Sequence, residues 1–128
     1  MKSKLLLVFL ISFTLFVTAQ NKAIDSLTIQ LKNAKSDIVK TKTLNIIANE
    51  YKTTNPKLML EYANKALLLS KKIGFKIEEG NSYHNIGNAN IILGNYALAL
   101  DNFSKAQIVF DNERPNGSDA SLKEIEEG

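Results

Sequence analysis

The sequence predicts an all-α protein, an antiparallel helix-hairpin solenoid that follows an N-terminal export signal. Three observations carry this. Apolar residues recur at helical spacing along most of the chain after residue 22. Asparagine, proline and glycine interrupt that pattern where helices should start and stop. A two-helix unit then returns after about 40 residues. No stretch alternates with the period of two that a half-buried strand requires.

The first 20 residues read as a signal. Lys2 and Lys4 form a short positive start, Leu5 to Val17 form an apolar run broken only by Ser12 and Thr14, and Val17-Thr18-Ala19 places small residues before Gln20. A run of 13 residues is short of the roughly 20 that a membrane-crossing helix needs. Cleavage after Ala19 is therefore favoured over an uncleaved anchor, and the expected location is the periplasm or the extracellular space. Loss of the two signal lysines lowers the formal charge from +3 to +1, from 14 basic against 13 acidic groups. That remainder is too small to argue for a nucleic-acid partner.

The mature chain reads as one domain of five helices. An N-terminal capping segment, 20–36, holds a helix near 23–34. The next helix, near 37–53, carries Leu44, Ile47, Ala48 and Tyr51 at i, i+3, i+4, i+7. Asn55-Pro56 then supplies an N-cap and a proline at the first helical position, opening a helix over 56–73 whose apolar set is Met59, Tyr62, Ala63 and Ala66. Gly74 closes it after a last turn rich in lysine. The helix near 77–93 carries Tyr83, Ile86, Gly87 and Asn90. Gly94-Asn95 should end it and cap the next, which spans 95–111 and carries Tyr96, Ala99, Leu100 and Phe103. Asn112 to Ser118 reads as a loop, and Asp119 to Glu127 as the start of a short acidic helix, which together make 113–128 the final segment.

The recurrence is specific. Glu61, Lys65 and Ala66 return as Asp101, Lys105 and Ala106 at a spacing of 40, and Ile47-Ala48 returns as Ile86-Gly87 at 39. The repeated units are 37–76 and 77–112. A hairpin repeated in this way buries its apolar face only against its neighbours, which is the logic of a solenoid.

On these residues the chain resembles a tetratricopeptide (TPR) repeat protein. The family's large, aliphatic and small residues of the first helix, its Gly-Asn-Tyr turn, and its Ala-aromatic-Ala second helix match Tyr83, Ile86, Gly87, Gly94, Asn95, Tyr96, Ala99, Phe103 and Ala106. Tyr51 and Ala66 match the earlier, weaker copy, in which Met59 stands where alanine is usual. In the later copy Asn90 replaces a bulky residue. The resemblance implies that Gly87 and Ala99 let two helices approach closely while Tyr83, Tyr96 and Phe103 fill the space around them. It covers about 43–112. With the export signal and the lysine-rich Lys71 to Lys76 linker, the chain is also similar to the exported N-terminal TPR regions of sensor histidine kinases from Bacteroidetes-type bacteria. A further repeat should begin near the end of the sequence, so two readings stand: a short member, or the N-terminal sensory piece of a longer membrane-bound signalling protein.

No residue pattern supplies chemistry. The chain has no cysteine, His84 is its one histidine, and its serines lie in no nucleophile motif, so neither an enzyme, a metal site nor a cofactor is expected. Glu78-Glu79 lies in a first helical turn, where acids favour the helix dipole. What the resemblance implies is binding of a protein or peptide in a concave groove lined by the first helix of each hairpin. Its exposed face would include Asn45, Ala48 and Lys52 in one unit and His84, Asn88 and Ile91 in the next. Asparagine amides there can hydrogen-bond a peptide backbone whatever its sequence. His84 stands where the family's carboxylate-clamping members carry lysine, which disfavours recognition of a peptide's C-terminal carboxylate. Charge is polarised: 22–76 holds 11 lysines against four acids, whereas 77–128 holds three cations against nine acids. Solvated helix faces account for this, as would attraction between two copies, and an uncapped end is a surface for self-association.

Overall fold

The computed structural model describes residues 1–114, apart from the side chains of 16–18 and 20. Among the described residues every regular element is helical and none is a strand. The expectations for 115–128, including the acidic helix start, lie outside the described residues.

Helix α1 spans Lys2–Asn33, α2 Asp37–Glu50, α3 Pro56–Ile73, α4 Lys76–Ile92 and α5 Tyr96–Glu113, with a 3₁₀ turn at Tyr51–Thr53 after α2. Each helix packs on the next, and α2 also touches α4. The predicted limits of α2 to α5 are met within three residues. The expected loop at Asn112 starts later, because Asn112 and Glu113 complete α5.

The main difference lies at the N-terminus, where the expected signal and the capping helix form one uninterrupted element. No glycine or proline stands between Leu5 and Asn33 to break it. Its two parts nevertheless behave differently. Leu5, Phe9 and Phe13 are each more than 60% exposed. Ile24, Leu27 and Leu31, at i, i+3 and i+7, are half-buried in the part that meets α2. Among the described residues no helix is long and apolar enough to cross a membrane.

Capping fixes where the hairpins turn. The Asn55 carboxamide oxygen accepts the Leu58 backbone N–H at 3.1 Å, satisfying one orphan donor of α3 as the Asn-Pro pair predicts. Gly74 and Gly94 adopt φ of 69° and 79°, the left-handed region that side chains disfavour. In each case the following residue closes a Schellman bond, Phe75 N–H to the Ser70 carbonyl at 2.9 Å and Asn95 N–H to the Asn90 carbonyl at 2.8 Å. Asn95 departs from its expected role. Its amide does not cap α5 but donates to the Asn90 carboxamide oxygen at 3.2 Å, while the Asn90 amide donates to the Ile86 carbonyl at 2.9 Å. A polar residue at this buried position is thereby satisfied from both sides.

The core is built mainly from small residues. Ala48, Met59, Ala63, Ile86 and Ala89 form one buried cluster, with Tyr51 and Tyr62 packed against it and their rings stacked at 5.7 Å. Met59 is fully buried there, so the bulk lost at alanine positions is recovered by one flexible side chain. Ala66, Ala99 and Ala106 are also buried. A Cβ added to Gly87 would lie 2.6 Å from the Phe103 ring, and one added to Gly80 would lie 2.5 Å from Phe110. These two notches, seven residues apart on both helices and running in opposite directions, set the antiparallel register of α4 and α5. Tyr96 differs from the expected packing role: it is 68% exposed. Tyr83 is half-buried, with the ammonium groups of Lys71 and Lys105 at 5.2 and 6.0 Å from its ring centre.

Candidate functional site

A groove of about 480 Å³ lies between α2 and α4. From α2 come Lys42, Asn45, Ile46 and Asn49, one face of the helix at i, i+3, i+4 and i+7. From α4 come Glu78, Asn81, His84 and Asn85, at i, i+3, i+6 and i+7, again one face of a helix. The two faces meet because the helices are the first members of successive hairpins and touch directly.

The floor is a polar clasp. The Asn45 amide donates to the Glu78 carboxylate (Oε2, 2.8 Å) and to the Glu78 carbonyl at 3.2 Å. The Asn45 side-chain oxygen accepts from the Ser82 hydroxyl at 3.1 Å and from the Asn85 amide at 3.2 Å. The Asn85 amide also reaches the Asn45 backbone carbonyl, and the Ser82 hydroxyl the Glu78 carbonyl. Asn45 thus uses every hydrogen-bonding position of its carboxamide. Two acceptors are left over. Glu78 Oε1 and Asn85 Oδ1 have no partner among the described residues, although each residue is only 8% exposed.

The rim differs. The Lys42 ammonium sits 5.6 Å from the centre of the Phe75 ring rather than pairing with Glu78. His84 is exposed, tilts against Phe103 at 5.5 Å, and shares Nδ1 with the Asn88 amide at 3.2 Å. Ile46 presents an apolar surface, 48% exposed, between these polar groups.

The residues singled out from sequence are placed unevenly. Asn45 and His84 line the groove, and Asn88 stands one turn along α4, tied to His84. Lys52, in the exposed 3₁₀ turn, and Ile91, in the last turn of α4, do not line it. Asn45 and Ala48 were expected on an exposed face and are buried, at 6% and 0% exposure, because α4 covers that side of α2. Lys42, Ile46, Asn49, Glu78, Asn81 and Asn85 were missed. A signal was present for one of them: the 39-residue offset that aligns Ile47-Ala48 with Ile86-Gly87 also aligns Asn49 with Asn88. Among the described residues no group of three His, Asp or Glu side chains could hold a metal ion.

Compared with known proteins, the chain matches no family model, no curated protein and no solved structure.

Proposed function

We propose that this chain is an exported, non-catalytic interaction module that holds an extended segment of a partner protein in the groove between α2 and α4. The observation that carries this reading is the make-up of the groove. Asn49 and Asn81 stand on its two sides, and Ile46 offers an apolar contact between them. Amides can both donate to and accept from a peptide backbone, which suits an extended ligand. The tetratricopeptide resemblance of 43–112 supports a repeat solenoid, as do the Gly87–Phe103 notch and the contact between α2 and α4. The lone histidine and the absence of cysteine support a binding role rather than a catalytic one.

Export rests on Lys2, Lys4, the apolar run and Ala19. Its support in the fold is that Leu5, Phe9 and Phe13 lie exposed, as residues outside the packed body would. The test is the intact mass and cell fraction of the native gene product. A soluble species lacking the first 19 residues is expected. A much larger membrane-bound species would instead favour the sensory region of a signalling kinase. The groove is tested by titrating the chain with extended peptides and following the backbone amides of Asn49 and Asn81. Peptides that shift only residues remote from α2 and α4 would refute it.

A further inference from the structure

We infer that the groove takes a cationic side chain, an ammonium or a guanidinium carried by the partner segment, on Glu78 and Asn85. This rests on the reading of the groove as a peptide site. The groove lining holds a glutamate, Glu78, that is more than nine-tenths buried and whose carboxylate is only half satisfied. Glu78 Oε2 is taken by the Asn45 amide at 2.8 Å, and Glu78 Oε1 has no donor among the described residues. Asn85 is equally buried and spends its amide on Asn45, which leaves its Oδ1 as a second free acceptor on the same groove wall. Burying a charge is costly unless it is paired and hydrogen-bonded, so two acceptors of this kind select for donors, and for a positive donor above a neutral one.

The neighbouring groups argue for a ligand rather than an internal cation. Lys42, the lysine that lines the groove, is drawn to the Phe75 ring. Lys76 is occupied by Glu79 at 2.8 Å. His84 is held by Asn88 and Phe103. Asn45 is saturated and cannot donate again. Because Asn45 and Ser82 fix the clasp before any ligand arrives, the acceptors are preorganised, and little ordering is needed on binding.

The experiment uses the full chain, isotope-labelled, and four end-blocked pentapeptides that differ only at the central residue: arginine, lysine, citrulline or glutamate. The shifts of the Asn81 and Asn85 amides and of the Asn45 carboxamide report binding. The arginine or lysine peptide should bind at least about tenfold more tightly than the citrulline peptide, with the glutamate peptide weakest. Comparison of the arginine and lysine peptides identifies which cation the site prefers. Glu78→Gln should bring that preference close to unity while the helical circular dichroism is retained, since a glutamine oxygen still accepts from Asn45. Lys42→Ala should move affinity the other way, strengthening binding of the cationic peptide by removing a like charge from the groove. Equal binding of arginine and citrulline peptides, or a preference that survives Glu78→Gln, would overturn the cation site and leave the groove reading standing. Failure of all four peptides to move the groove signals would overturn both.

Discussion

The Asn45 amide donates to the Glu78 carboxylate at 2.8 Å across 33 residues of sequence, joining the first helix of one hairpin to the first helix of the next. Both residues are buried, and Ser82 and Asn85 complete the clasp. The apolar cluster of Met59, Ala63, Ile86 and Ala89 joins α3 to α4, while the clasp adds a polar, directional contact between α2 and α4. A network of this kind specifies register more sharply than apolar packing, because a slip of one residue strands buried acceptors.

Asn45→Ala should therefore destabilise by about 2–4 kcal/mol, since it removes a saturated carboxamide and leaves the Glu78 carboxylate buried without its donor. Urea denaturation followed by far-UV circular dichroism measures this. The double variant Asn45→Ala/Glu78→Ala should cost less than the two single losses together, by about 1–2 kcal/mol, because the second change removes the charge that the first one orphaned. Strict additivity would mean that the clasp carries no coupling energy.

Gly87 and Phe103 set the approach of α4 and α5. An alanine at Gly87 gains about 1 kcal/mol of helix propensity. Its Cβ, however, would lie 2.6 Å from the Phe103 ring, a contact relieved only by moving a side chain wedged between two helices. The expected net effect of Gly87→Ala is a loss of about 1–2 kcal/mol. Adding Phe103→Leu should recover part of it, which is opposite to what deleting buried bulk does in an unstrained background. Gly87→Ala with no loss at all would show that the ring yields freely.

Gly74 and Gly94 make a contrasting case. Nothing lies within 4 Å of a Cβ at either position, so only backbone conformation matters. At φ of 69° and 79°, Gly→Ala should cost about 1–2 kcal/mol per site in thermal denaturation. Gly→Asn should cost less, because asparagine tolerates the left-handed region better. Equal losses for alanine and asparagine would point to a cause other than φ.

Much of this architecture was legible in the sequence because it rests on local chemistry. The Asn55 cap and the two left-handed glycines are each decided within a few positions of the chain, and α2 to α5 fall where the apolar spacing puts them. The groove was harder to read. The sequence places Asn45 on an exposed groove face of α2, whereas its burial comes from α4 covering that side, which no local pattern in α2 announces. As a first-turn acid Glu78 answers the helix dipole, and local sequence says no more of it than that. Its partner lies 33 residues upstream, and only the packed hairpins bring the two together. Tyr96 differs as well: the resemblance has it fill space around Gly87 and Ala99, but it stands at the first residue of α5 and is largely exposed.

Tyr51 gives the fold a dependence on alkaline pH. Burial beside the stacked Tyr62 ring raises its pKa above the usual 10.0, with smaller contributions from Tyr62, Asp25 and Glu61, all of which disfavour a phenolate. The folded chain therefore keeps this proton to higher pH than the unfolded chain does. Below pH 10 both states are protonated and the stabilisation is fully present. As pH rises past that value the unfolded state ionises first, so stability falls until the folded Tyr51 ionises as well. Urea midpoints measured between about pH 9 and 11 should decline more steeply for the native sequence than for Tyr51→Phe, which has no proton to lose. The difference between the two isolates Tyr51 from the lysines that titrate in the same range. Parallel curves would show that Tyr51 ionises as readily in the folded state as in the unfolded one.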